Sequence, residues 1–400
     1  MGLAHATFGF VAVFSTAAVP ILLRGQGVGV EKITQIVTLA TSPMFWVFLL
    51  SPVMDVWVSR RVYTVLFACV AAVCLGLALV SMKHLVLFTV VLVLANMASN
   101  LYHYALNSWL TERMETRHYA QVGAVTQIAN LGAGGVFSGV TIWTVRTLPL
   151  TLAAAVLALL VLMPMMLTVF LPAAQWPTRT AREVFRTFFR DLYTLCKRQR
   201  CRYGLLVFLA PVCSFALPFG ALGSEFHVPE RWVATLTGPL AGVMCGVGCL
   251  GAILFCRWIK GRTVYVLTGL VAAVVTGAMM LLPHTMAVFA VGGVLYMFLQ
   301  GVNYASFTAV LYEIVGRDNP LRGTQIGLLS AASNLPISLM TWADGVGFGR
   351  GGVQGMLGVD TFVALAFCVP VLVFFARVRR LGLEEGDVPV ELEGMPARAV

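Results

Sequence analysis

Asn96-Met97-Ala98-Ser99-Asn100-Leu101-Tyr102-His103-Tyr104-Ala105-Leu106-Asn107 sets four polar side chains into an otherwise apolar run. At 100° per residue, Asn96, Asn100, His103 and Asn107 share one narrow stripe of a helix. A polar group facing lipid costs free energy, so the stripe belongs against a protein interior or a water-filled cavity. Two hundred residues later, Tyr296-Met297-Phe298-Leu299-Gln300-Gly301-Val302-Asn303-Tyr304-Ala305 echoes it. Asn100 then matches Gln300, His103 matches Asn303, and Tyr104, Ala105 and Arg117 match Tyr304, Ala305 and Arg317. The chain reads as two copies of one half, each with a polar stripe in its fourth helix.

Composition agrees. Over 400 residues, 59% are hydrophobic and only 11% charged, where a soluble domain carries about 25% charged residues. Apolar runs of about 20 residues, the length a bilayer core demands, recur along the chain. The expected fold class is an all-α membrane protein with twelve transmembrane helices in two six-helix pseudo-repeats. Predicted spans lie near 5–24, 33–53, 62–82, 85–110, 120–143, 148–171, 204–224, 232–256, 263–282, 285–311, 323–345 and 358–377. This gives an N-terminal half (1–171), a linker (172–203), a C-terminal half (204–377) and a tail (378–400) that has no apolar face and is expected to be disordered. The first run lacks a basic leader and a cleavage site, so it is expected to remain as a helix.

The net charge of +10 is a statement about topology and not about nucleic acid. With the N-terminus in the cytoplasm, only Arg24, Lys32, Lys83, Arg146, Arg231 and Arg350 of the 27 Lys and Arg residues fall on the far face, which is the positive-inside pattern. The expected location is a bacterial inner membrane, with both termini cytoplasmic. In the linker, Phe185, Phe188, Phe189, Leu192 and Leu195 recur at helical spacing while Arg182, Arg186 and Arg190 line another face. That pattern suits either a helix lying on anionic lipid or a solvated connector. Nine Cys, mostly within apolar runs, show neither zinc spacing nor a disulfide framework, and no metal or cofactor is expected.

Between the second and third spans the chain reads Ser51-Pro52-Val53-Met54-Asp55-Val56-Trp57-Val58-Ser59-Arg60-Arg61. An acid at one helix end with two cations following can form an ion-pair latch that breaks on opening. Glu112, Arg113 and Glu313, at the ends of the fourth and tenth spans, are candidates to complete that cytoplasmic gate. The equivalent loop of the second half, Arg257-Trp258-Ile259-Lys260-Gly261-Arg262, keeps the cations without the acid, so the latch is expected to be asymmetric.

Twelve spans in two similar halves, a central loop and an Asp-to-Arg-Arg loop after span two resemble the major facilitator superfamily. Within it, Phe45 to Asp55 is similar to the Leu-Trp-Ser-Pro-Leu-Met-Asp signature of the muropeptide permeases and the related acetyl-CoA and siderophore permeases. The Gly-rich fifth span and Gly323 to Ser330 extend the likeness. The resemblance implies a proton-coupled importer of a mid-sized polar organic solute, working as a monomer in contact with membrane lipid. This chain departs from those permeases in span four, where Asn100-Leu101 stand in place of acids.

His103 is the single titratable side chain that the reading places deep in a span, and it is the candidate for proton coupling; a neutral His bonded to a neighbouring helix fits equally. Asn96, Asn100, Asn107, Gln300, Asn303 and Tyr304 are candidate substrate-cavity residues, or bonds between helices. Gln127, Asn130, Gln325 and Asn334 are secondary lining candidates. No phosphate-binding Gly-x-x-x-x-Gly-Lys-Ser/Thr loop occurs, so direct ATP drive is not expected. A drug or metabolite exporter of the same fold is the alternative. A non-transporting sensor, or a membrane-embedded enzyme, belongs to another class; for the enzyme, the spans offer no evident His pair, carboxylate pair or Ser/His/Asp group.

Overall fold

The computed structural model describes the chain except residues 1, 172–175, 177–179, 198, 211–214, 216, 218, 317–320 and 381–400. The predicted tail beyond 380 and Arg317 therefore lie outside the described residues. All the regular structure among them is helical. Ten helical segments are long and apolar enough to cross a membrane. We label the helices α1 (Gly2–Gly25), α2 (Gln35–Asp55), α3 (Arg60–Val80), α4 (Leu85–Arg113), α5 (Tyr119–Thr147) and α6 (Leu150–Phe170). The linker holds α7 (Ala181–Lys197). There follow α8 (Gln199–Leu209), α9 (Arg231–Trp258), α10 (Gly261–Leu281), α11 (Met286–Val315) and α12 (Arg322–Arg380).

The last helix is twice the length of a span because it is two spans joined. Gly351 and Gly352 break its helical backbone, Gly352 with φ 58°, a left-handed value that only glycine adopts at no steric cost. Eight residues of straight helix would separate Gly347 from Gly355 by about 12 Å. Instead, a Cβ placed on Gly347 would lie 2.7 Å from the Gly355 carbonyl oxygen, so the chain turns straight back. The two arms run further into this turn than the predicted spans 323–345 and 358–377 allowed. Asp344 and Asp360, each within two residues of the end of a predicted span, lie inside these arms, both buried. The expectation of no carboxylate pair within the spans is corrected here: two acids at the ends of separate predicted spans read as unrelated, until the turn at Gly351–Gly352 sets the two arms side by side.

The halves pack on separate apolar cores. Phe14, Leu75, Phe88, Phe137 and Leu157 anchor the first, while Tyr265, Tyr296, Leu311, Leu329 and Leu357 anchor the second. Met54 and Tyr104, from the first half, join that second core. Val86, Phe170, Trp258 and Leu281 point outward, each at least 80% exposed, as apolar side chains against lipid do. Small residues let the helices approach closely. Gly301 of α11 meets the Cys245 carbonyl of α9, and Gly248 of α9 meets the Phe298 carbonyl of α11. Proline and π-type turns shape other spans: α1 carries a π segment at Phe14–Ala18 just before Pro20, and α5 one at Ile128–Gly132.

The reciprocal glycine contacts give a direct test. Gly301→Val should force α9 and α11 apart, cost about 1–3 kcal/mol, and lower the thermal unfolding midpoint in detergent by several degrees. Gly246→Ala, which meets open space, should leave the midpoint unchanged.

Candidate functional site

Helix α2 ends as a 3₁₀ turn over Val47–Asp55 with Pro52 inside it. Proline removes a backbone donor and tightens the winding, which brings Asp55 to the end of the helix beside the next loop. Trp57 then takes a left-handed conformation, φ 62°, and the chain turns into α3. Arg60, at the start of α3, donates to Asp55 at 3.0 Å and to Glu112 at 3.1 Å. Glu112, at the end of α4, also meets Arg113 and Arg322, each at 3.4 Å. The side chains of Asp55, Glu112 and Arg322 are 8%, 3% and 7% exposed, so these charges interact in a low dielectric, where pairing matters most.

This cluster joins the halves, because Arg322 begins α12 and the other members belong to α2, α3 and α4. Of the residues read as a gate, Asp55, Arg60, Glu112 and Arg113 meet here. Arg61 lies half-buried next to Arg60, and Glu313 is exposed. Arg322 was counted in the sequence only as a topology charge. Its role became legible only once α12 was seen to start against α2 and α4.

Further side-chain bonds cross between the halves. Ser51 donates to Thr324 at 3.2 Å, Gln127 donates to Thr308 at 2.8 Å, and the Tyr312 hydroxyl donates to the Asn107 side-chain oxygen. A Cβ on Gly123 would lie 2.9 Å from the Ala305 carbonyl, and one on Gly327 would lie 2.9 Å from Phe48 Cβ. At 1.5 Å per residue, all of these bonded positions sit within about 12 Å of the Arg-rich helix ends. The halves are clasped at their basic end.

Deeper in, the polar stripe of α4 is mostly turned toward α1. Asn96 donates to Ser15 at 2.8 Å and Asn100 donates to the Asn96 carbonyl at 2.8 Å. His103 packs on Phe8, with ring centroids 4.4 Å apart, and edge-on to His5 at 5.1 Å. His5 itself lies 3.1 Å from Asn107. The spans therefore do hold a His pair. The sequence reading missed it because His5 sits at the very start of the first run, where a polar residue reads as a helix end. In the second half, Asn303 donates to the Tyr265 carbonyl at 3.1 Å and Gln300 accepts from Cys245 at 3.4 Å. Tyr304 is half-buried and 6.4 Å from Phe215. Asn96, Gln300 and Asn303 thus bond neighbouring helices within each half, Asn100 bonds back along its own helix, and Asn107 bonds across to the other half. Among the described residues no group of three or more His, Cys, Asp or Glu gathers to hold a metal ion.

No protein-family profile and no curated protein matches the chain. Solved structures do. The Escherichia coli fucose:proton symporter FucP superposes with TM-score 0.71 at 14% identity, over 94% of this chain and 97% of that one. The proton:xylose symporter XylE gives 0.68 at 11% identity, over 93% and 94%. The human organic anion transporter MFSD10 gives 0.67 at 15% identity, over 92% and 96%. At these identities the likeness defines the architecture: the chain has the fold of the major facilitator superfamily transporters, two six-helix halves around a central axis.

Arg322→Met should loosen the clasp. Losing one of the three cations around Glu112 should cost about 2 kcal/mol of closure, less than an isolated buried pair because Arg60 and Arg113 remain. A cysteine placed at Thr324 should then react roughly thirtyfold faster with a membrane-impermeant maleimide added at the basic end; an unchanged rate would remove Arg322 from the clasp.

Proposed function

We propose that this protein is a secondary active transporter that works by alternating access, its two halves rocking about a central path. The observation that carries this reading is the clasp itself: a buried Asp55–Arg60–Glu112–Arg322 network that joins the halves near their basic ends. By the positive-inside rule those ends face the cytoplasm, so we read the clasp as closing the inward side. Two similar folds support that assignment, since FucP has been solved in an outward conformation and a bacterial homologue of the iron transporter ferroportin in an outward-facing state, with TM-scores of 0.66 each.

The substrate class proposed is a mid-sized polar organic solute, muropeptide-, siderophore- or CoA-ester-like, and the proposed direction is import into a bacterial cytoplasm. This finer reading leans on the Ser51-Pro52-Val53-Met54-Asp55 signature. Proton coupling is assigned to the His5–His103 pair, with Asn107 linking it to Tyr312 across the halves. A proton on His5 makes both ring nitrogens donors, to the Gly2 carbonyl at 3.2 Å and to the Asn107 side-chain oxygen at 3.1 Å. This strengthens the His5–Asn107–Tyr312 chain, while like charge opposes a second proton on His103. Protonation and the closure of the basic end are thereby tied by three side chains. Export of a drug or metabolite would use the same clasp with the opposite coupling direction.

Uptake into vesicles containing the purified chain, over a panel of cell-wall sugar-peptides, siderophores and CoA esters, checks this. An inward proton gradient should drive uptake in the wild type, and His103→Gln should abolish the gradient dependence while substrate binding survives. Gradient-driven uptake that persists in His103→Gln would make this side chain a packing residue. Absence of flux for every solute would favour the sensor.

A further inference from the structure

The polar groups not used by the clasp or the His pair gather at the other end of the second half. Asp344, on the outgoing arm of α12, is fully buried, and Asp360, on the returning arm, is 5% exposed. Each arm brings its acid to the same place because the turn at Gly351–Gly352 lies midway between them. Asp344 feels the charge of Asp360 directly. Beside Asp360, Thr361 brings its hydroxyl oxygen to 2.9 Å from that of Thr276 of α10. Tyr296 of α11, also buried, lies within the field of both acids and accepts from the Leu217 backbone N–H at 3.4 Å. The other charged or titratable groups nearby are Tyr304, one step further along α11, and Arg350, exposed at the turn.

Neither oxygen of Asp344 has a hydrogen-bond partner among the described residues, and no Lys, Arg or His there pairs with either acid. Two like charges without a counter-charge in a buried place are unfavourable. A proton on Asp344 removes one charge and leaves the other, whereas a metal ion neutralises both. Bonding oxygens at about 2.3–2.6 Å on either side, it bridges atoms up to about 5 Å apart. The donors are carboxylate, hydroxyl and phenol oxygens only, the set that hard cations prefer over soft ones.

We infer that Asp344 and Asp360, with Thr276, Thr361 and Tyr296 beside them, form a binding site for one hard metal cation inside the C-terminal half. A divalent ion neutralises both carboxylates; Na⁺ does so when one carboxyl keeps its proton. The site stands on the hairpin alone and does not depend on the transport reading.

The test uses the purified full-length protein at constant ionic strength in choline chloride. NaCl, CaCl₂ and MgCl₂ are titrated separately while the thermal midpoint is followed, and equilibrium binding of radioactive Na⁺ or Ca²⁺ counts the ions. One ion per chain and a saturable rise in midpoint for one of the three salts are expected, because a ligand that binds only the folded state stabilises it. Asp344→Asn and, independently, Asp360→Asn should weaken that response at least tenfold, while Glu115→Gln, on the surface, retains it. Should either Asn variant fail to fold, Thr361→Val supplies the same comparison. A wild type with no saturable response to any salt, or a response unchanged in the variants, overturns the assignment. A midpoint that follows pH and ignores all three salts also overturns it, in favour of a proton. None of these readouts involves solute flux, so a failed uptake assay leaves the result intact.

Discussion

Every charged group inside a membrane-spanning helix has to find an opposite charge or a donor, because neither lipid nor apolar core will solvate it. Glu112 meets that demand with three arginines drawn from its own helix, from α3 and from α12. Remove the cations, and a carboxylate is stranded between the halves. Separate the halves, and Arg322 leaves while water enters. The same desolvation that makes the cluster costly makes it cooperative: Asp55 holds Arg60, Arg60 holds Glu112, and Glu112 holds Arg322. A structure whose two halves share few covalent constraints gains from this network a defined relative position.

The polar bonds deeper in the spans act on a different scale. Asn96, Asn100 and Asn303 each satisfy an amide against a nearby hydroxyl or carbonyl in their own half. Asn96 ties α4 to α1 and Asn303 ties α11 to α10, while Asn100 bonds within α4. Asn107 breaks that rule by serving His5 on one side and Tyr312 on the other. The His5 imidazole and the contact between the halves thereby share one side-chain oxygen. The linker helix is attached to the same region: Phe185 of α7 packs against Trp57, ring centroids 6.1 Å apart, in the loop that presents Arg60.

Much of the fold was legible in the sequence because a bilayer leaves few options. Runs of about 20 apolar residues must be helices, and the alternation of basic loops sets their direction. The offset of 200 residues exposed the repeat: α4 and α11, which carry the matching stripes, start at Leu85 and Met286 and end at Arg113 and Val315. The acid-to-arginine loop pointed to an ion-pair cluster for the same reason, since buried or half-buried charges at adjacent helix ends tend to pair. What escaped was set by tertiary context. Arg322 looked like any other flanking cation until α12 was placed against α4, and His5 looked like a terminus. Asp344 and Asp360 escaped because each lies within two residues of the end of a predicted span, where an acid reads as a helix terminus, and only the turn at Gly351–Gly352 sets their two arms side by side.

That glycine turn has a mechanical consequence. A hairpin with no slack between its arms is a single lever: tilting one arm carries the other with it, at the same angle and with the same axial shift. On the transport reading, an ion held between Asp344 and Asp360 would be a passenger within one half, its coordination unchanged were that half to rock against its neighbour. Release from such a berth requires the two arms to part at the Gly347–Gly355 contact, a prying motion across the hairpin and distinct from the rocking that opens the clasp.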